Sequence, residues 1–353
     1  NVRLIQATWR GNAQGGLLAQ NGSLRLRDVA FVGNASDGRG GGLLASNVLL
    51  DIQGLIASAN RSLVDGGALS VTGGTLRLTD AAFHGNAALG RGGALHVTAP
   101  RAQVSLSNVL FIGNDAPDGA AIFAAGAGRI DVANATAVAQ RAAAGGHAFA
   151  VSDQASLSVH DSVVLDSQSG DQGGGHFGAG VASGFNSLDG QSSGNGDVLV
   201  DTGAGSFGWT YASRSGLQTV DNGSTPANAA GLADAFALDG RVYPDEGVVD
   251  RGYHYRRRPD VSAADRLEAV VMDGSAEVPA GPGEQSIAVR VFVNGRAVGT
   301  GYRVQVQLAG PGVARSAIDL ADGRYGFAVP VGTASSDLGV LLGDDSVDVI
   351  PAP

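Results

Sequence analysis

The sequence predicts an all-β chain: a right-handed parallel β-helix over residues 1–258, followed by a small β-sandwich over residues 259–353. Two residue series recur in step at intervals near 26 residues. Apolar residues alternate in short runs between turn residues. The pattern then changes after Arg256-Arg257-Arg258-Pro259.

The repeat is clearest at Phe83–Leu95, FHGNAALGRGGAL, and returns at Phe31–Leu44, Trp9–Leu18 and Phe111–Ile122. Its glycine slots are Gly16, Gly42, Gly67, Gly93, then Ala120, Gly146 and Gly174, at steps of 26, 25, 26, 27, 26 and 28. An amide series keeps pace with them: Asn12, Asn34, Asn60, Asn86, Asn114, then Gln140 and Asp166. Two series in step over seven copies mark a solenoid, each copy stacking on the next.

Between these markers the apolar residues alternate, as in Leu24 and Leu26, Leu76 and Leu78, Ile130 and Val132. Alternation with period two means strands, whereas a leucine-rich repeat of similar length needs a Leu-x-x-Leu-x-Leu frame and usually a helical segment. Three short strands and three turns fill one copy, and seven coils would stack to roughly 35 Å. The Gly pair permits φ > 0 and close approach between coils. One Asn per coil predicts a ladder of side-chain amides that satisfies buried backbone groups. Gln140 keeps the amide and Asp166 only the acceptor, so the ladder should weaken there.

Phe31-x-x-Asn34, Phe83-x-x-Asn86 and Phe111-x-x-Asn114, paired with Gly66–Leu69 and Gly92–Leu95, resemble the repeats of polymorphic outer-membrane proteins. That resemblance covers about residues 1–180 and implies a surface-exposed bacterial passenger used in adhesion. Val249–Tyr255, VDRGYHY, resembles the closing strand of bacterial secreted β-helices. Residues 222–258 therefore read as a cap over an edge that must be covered. Within it, Thr225 and Pro226 predict a short helix over Ala227–Phe236.

Beyond residue 259, strands are expected at Leu267–Met272, Ile287–Val293, Tyr302–Leu308, Tyr325–Val331 and Val347–Ile350. Asn294-Gly295 is a two-residue hairpin signal. Asp322-Gly323-Arg324-Tyr325 resembles a segment of invasin-like and filamin-like immunoglobulin-type modules, which implies a spacer.

Composition narrows the partners. A net charge of −10 argues against nucleic acid or anionic membrane as the main partner. With no cysteine, disulfides and thiolate chemistry are excluded. No apolar run reaches membrane-span length. The start at Asn1, with a repeat already under way by Trp9, reads as that of a mature product or fragment, and Pro351-Ala352-Pro353 reads as a linker to something further on.

No catalytic, cofactor or metal residue stands out. Glycan hydrolases of this shape need close carboxylates, but Asp37, Asp115 and Asp118 fall where turns are expected. His96, His147 and His176 follow their glycine slots at different offsets. The Asp344-Asp345-Ser346-Val347-Asp348 run is the one calcium candidate. The expected function is a secreted or cell-surface adhesive platform whose partners are extracellular proteins, glycans or subunits of an assembly. A β-helix polysaccharide lyase or glycoside hydrolase is the alternative, and a filament or envelope subunit is a third reading.

Overall fold

The computed structural model describes residues 1–199, save 99–102, 127, 144–145, 166, 170–174 and 190–193. It also describes 221–256 save 234 and 237–246, and the segments 267–272, 282–293, 296–297, 303–308, 315–320, 323–333, 338–344 and 347–351. It is an all-β parallel solenoid of about seven turns, followed by antiparallel sheet.

Three successive coils carry long, bent strands at Leu17–Val32, Leu43–Ser58 and Leu69–His84. They pair in parallel, with Leu43 between Leu17 and Leu69 and Leu50 between Leu24 and Leu76. Further on the same path is broken into pieces such as Leu95–Thr98 and Gln103–Ile112, then Ile122–Ala125 and Arg129–Val138. A second wall is a six-stranded sheet of dipeptides, among them Ala35–Ser36, Arg61–Ser62, Ala87–Ala88 and Asp115–Ala116.

Bends in the long strands come from residues in the left-handed region. Asp28, Asp80, Asn108, Asn134 and Asp161 form one such column, with Gly54 in the same series. Asn and Asp tolerate positive φ better than most side chains. This corner series was not singled out from sequence, because its members differ in type from coil to coil.

Inside, Leu26, Ile52, Leu78, Leu106, Val132 and Val159 lie in register and are buried. Aromatic residues stack along the axis, Trp9 on Phe31 at 4.8 Å and Phe83 on Phe111 at 5.2 Å. Gly42 makes room for this: a Cβ there would lie 2.9 Å from the Phe31 Cβ.

The glycine series needs a correction of one residue. Gly42 N–H donates to Ala68 O and Gly67 N–H to Gly92 O, and Gly67 lies closest to the Gly93 carbonyl, so Gly16 and Gly42 belong to one column and Gly67 and Gly93 to its neighbour. The run Gly40-Gly41-Gly42 offers three glycines for two slots, which hid the slip. Two jobs are also separated. Gly40, Gly66, Gly92 and Gly119 take positive φ, whereas Gly67 and Gly93 serve close approach. A Cβ on Gly67 would lie 2.2 Å from the Gly93 carbonyl oxygen. Gly146 lies one position before the slot, since Ala120 pairs with His147. Gly174 lies outside the described residues.

By internal contacts, one compact unit is Asn1–Thr202 with Leu217–Ser224 and Asp250–Tyr253; the other is Gly203–Gly216, Thr225–Val249 and His254–Pro353. In the second unit the expected helix is only Ala227–Ala230. Pro226 occupies the N-cap position, and Gly231 closes the helix at φ 76°. Ala235–Phe236 is instead a strand antiparallel to Tyr255–Arg256.

The C-terminal strands form two antiparallel sheets. One joins Leu267–Met272, Glu284–Val293, Arg324–Pro330 and Ile318–Asp319, with Arg296–Ala297 at its side. The other joins Arg315–Ser316, Arg303–Leu308, Leu338–Asp344 and Val347–Pro351. Val293 faces Arg296 across a two-residue connection; its Asn294 and Gly295 lie outside the described residues. Arg315–Ser316, Ile318–Asp319 and Leu338–Asp344 were not expected from sequence; the first two are dipeptides, too short to show alternation.

Candidate functional site

The amide series occupies the interior. Asn12 Nδ2 donates to Asn34 Oδ1 at 2.7 Å, Asn34 to Asn60 at 2.9 Å, Asn60 to Asn86 at 3.0 Å and Asn86 to Asn114 at 3.0 Å. Asn114 then donates to Gln140 Oε1 at 3.2 Å. Each Nδ2 from Asn34 onward also reaches a backbone carbonyl, as Asn86 does Ala57 O at 2.9 Å. The Oδ1 atoms of Asn34, Asn60, Asn86 and Asn114 accept the preceding ladder residue's backbone N–H as well. Asp166 lies outside the described residues. From Asn34 to Gln140 these groups are buried and hold the coils together, while Asn12 at the start of the series is exposed.

The surface candidate is the opposite side of the same strands. Wherever Leu24, Leu26 and their equivalents point inward, the residues between them point out. Three outward columns run along the coils. The first is Ser23, Leu49, Thr75, Gln103, Arg129 and Ser156. The second is Arg3, Arg25, Asp51, Arg77, Ser105, Asp131 and Ser158. The third is Ile5, Arg27, Gln53, Thr79, Ser107, Ala133 and His160.

These columns hold five Arg and two Asp, a balance of +3, while the whole chain stands at −10 and the remainder therefore at −13. The fold has sorted charge. Arg25 Nε pairs with Asp51 at 2.9 Å, and Arg27 approaches the same carboxylate at 3.5 Å. Arg77 and Arg129 are exposed and have no ion pair among the described residues. Two shallow depressions of about 460 and 540 Å³ lie on this face and share Thr75 and Arg77. The corner column beside it carries Asp28 and Asp80, so acids bound the basic strip on that side.

At the C-terminal end of the face His160 sits between two carboxylates. Its Nδ1 lies 2.9 Å from Asp161 Oδ2 and its Nε2 3.5 Å from Asp131 Oδ2. Hydrogen bonds donated to the Asp131 and Asp161 carboxylates raise the imidazole pKa to about 9, so His160 is cationic at neutral pH. Asp161 is buried and accepts the Ser224 hydroxyl at 2.6 Å and the Ser224 amide at 2.5 Å.

Asp250–Tyr253 lies against these coils. The Arg251 side chain is 1% exposed and donates to the carbonyls of Asn186, Gly196 and Asn222 at 2.8, 2.9 and 2.7 Å. Gly252 N donates to Asp161 O at 2.8 Å, and Tyr253 N to Thr136 Oγ1 at 2.8 Å. A Cβ on Gly252 would lie 2.8 Å from that hydroxyl oxygen. The motif was legible from sequence; the reach of Arg251 was not.

The other histidines occupy separate places. His96 stacks on Phe123 and is held neutral by burial, its pKa lowered to about 4. His147 lies 3.4 Å from Asp118, and His176 lies 2.9 Å from Asp189. Asp118 accepts from the backbone of Gly119 and His147, and Asp115 lies in the strand Asp115–Ala116. Among the described residues no three His, Asp or Glu are placed to hold a metal, and no helix is long and apolar enough to cross a membrane. Asp345 and Ser346 of the calcium candidate lie outside the described residues.

No family model matches this chain. No curated protein and no solved structure matches it either. The likeness to polymorphic outer-membrane repeats therefore rests on the Phe-x-x-Asn and Gly-Gly motifs themselves.

Chemically, the outward face offers guanidinium, hydroxyl and amide groups at regular steps. Asp51 and Asp131 are three coils apart, roughly 14 Å, and the paired carboxylates of glycoside hydrolysis sit about 5–9.5 Å apart. Asp161 is nearer to Asp131 but is enclosed and already bonded to Ser224.

Proposed function

We propose that this chain is a secreted or cell-surface bacterial protein of the right-handed β-helix type, acting as a rigid adhesive platform. Its outward sheet face is the contact surface, and the C-terminal strands form an immunoglobulin-like spacer. The observation that carries the reading is the separation of charge: a basic, hydroxyl-rich strip along the coils of an acidic chain. Scattered surface charges would serve solubility alone, whereas a segregated strip gives electrostatic complementarity and steering. The amide ladder supports the same reading, because a stiff scaffold loses little conformational freedom on binding. Contact here is surface complementarity, with no reacting group to name.

The test is binding of the full chain to a glycan array and to immobilised cells, alongside a release assay on pectin, alginate and chondroitin. Saturable binding without release of unsaturated or reducing sugar supports the platform. Catalytic release would replace it with the polysaccharide-cleaving enzyme, and absence of any binding would remove it.

A further inference from the structure

We infer that the outward face takes an extended anionic polysaccharide, carboxylated or sulfated, lying along the solenoid axis. This inference rests on the sheet face being the contact surface.

The spacing of the cations carries the argument. Arg25 and Arg77 stand two coils apart in the second column and Arg129 two coils further on in the first, with Asp51 and Gln103 or Ser105 on the coils between. Two coils span roughly 9–10 Å, a step comparable to the disaccharide repeat of an extended glycan. A polymer with one acid per repeat meets a guanidinium at each step, and guanidinium holds carboxylate or sulfate through two parallel N–H donors. Between the cations, Thr75, Gln103, Ser105 and Gln53 offer the donors and acceptors that sugar hydroxyls need.

Arg77 is the central residue. It lies in both depressions and forms no ion pair among the described residues; Asp51, its in-register neighbour on the preceding coil, pairs with Arg25 instead. Arg3 extends the strip at one end; at the other the charge of His160 is taken up by Asp131 and Asp161. Flanking Asp28 and Asp80 keep a bound anion on the strip.

Nucleic acid fits the face less well. None of the three columns contains Phe, Tyr or Trp, so bases would lack a large stacking platform.

The experiment measures binding of the full chain to alginate, dextran sulfate and neutral dextran by biolayer interferometry. Alginate and dextran sulfate are expected to bind and dextran not, the first two arms distinguishing carboxylate from sulfate. Raising salt from about 50 to 300 mM should weaken binding at least tenfold. The double variant Arg77→Glu/Arg129→Glu should lose at least about tenfold in affinity, and Arg77→Gln severalfold. Arg61→Glu, on the dipeptide sheet, should match wild type. Circular dichroism and melting of each variant separate lost binding from lost folding. Anionic binding untouched by folded Arg77 variants, or equal binding to dextran, overturns the inference. Binding to neutral glycans or cells with none to alginate or dextran sulfate overturns it and leaves the platform standing. No binding to any partner removes both.

Discussion

The amide at position 86 shows how much one side chain holds. It donates to Asn114 and to the Ala57 carbonyl, and accepts from both the backbone and the side chain of Asn60. Asn86→Leu strands two donors of Asn60, although Asn60 Nδ2 retains Phe31 O. The expected loss is about 3 kcal/mol, read as a lower denaturation midpoint. Asn86→Asp keeps the acceptor but sets a carboxylate oxygen against Asn114 Oδ1 and Ala57 O at a buried site, and should cost at least as much. Position 160 sets a different dependence. Because the folded pKa is raised from 6.5 to about 9, its stabilisation is fully present below pH 6.5 and is lost as pH rises through about 9. After discounting for solvent screening this amounts to about 2 kcal/mol. The melting difference between wild type and His160→Gln should therefore shrink as pH is raised. His96 runs the opposite way: its pKa is lowered to about 4, so its neutral form stabilises above pH 6.5 and the benefit fades as pH falls toward 4.

Turns and closing segments are governed by backbone proximity. Gly67→Ala would drive a Cβ against backbone of the next coil, with Ala87 and Gly93 atoms within 2.6 Å, whereas Gly33→Ala meets nothing within 4 Å. Gly33→Ala should cost only the roughly 1 kcal/mol of a left-handed alanine. Gly67→Ala should be several times worse, as side-by-side thermal melts will show. The clip Asp250–Tyr253 supplies donors to carbonyls of the final coils. Arg251→Met fills much of the same volume but leaves the Asn186, Gly196 and Asn222 oxygens without those donors. Hydrogen exchange should then quicken at Val163–Leu165 and Ser187–Leu188 while Leu43–Ser58 keeps its protection. Uniform protection throughout would mean the clip is not a local fastener.

At the scale of the whole molecule, the solenoid is a stack of near-neighbour interactions. Excising Asn60–Gly85 removes one 26-residue step and leaves Asn34 facing Asn86 with every inward leucine still in register. That shortened chain should fold with parallel-sheet circular dichroism and a modestly lower melting temperature. Failure to fold would mean that coils are not interchangeable. The same stacking turns a weak periodicity of Arg in sequence into a strip of cations on one face.

The period, the inward alternation and the amide series were legible because each is local: a residue one coil away always meets its equivalent, so the repeat itself encodes the contact. The strands beyond residue 259 showed for the same reason, through their own alternation. The glycine slots were misread by one residue because a three-glycine run carries no information about which member faces the next coil; backbone hydrogen bonds decided it. Tertiary structure alone placed Arg251 beside Asn186, 65 positions away, and Asp161 beside Ser224. Contacts between segments with no shared period leave no pattern in the chain; they follow from where the last coils end and the returning backbone is laid.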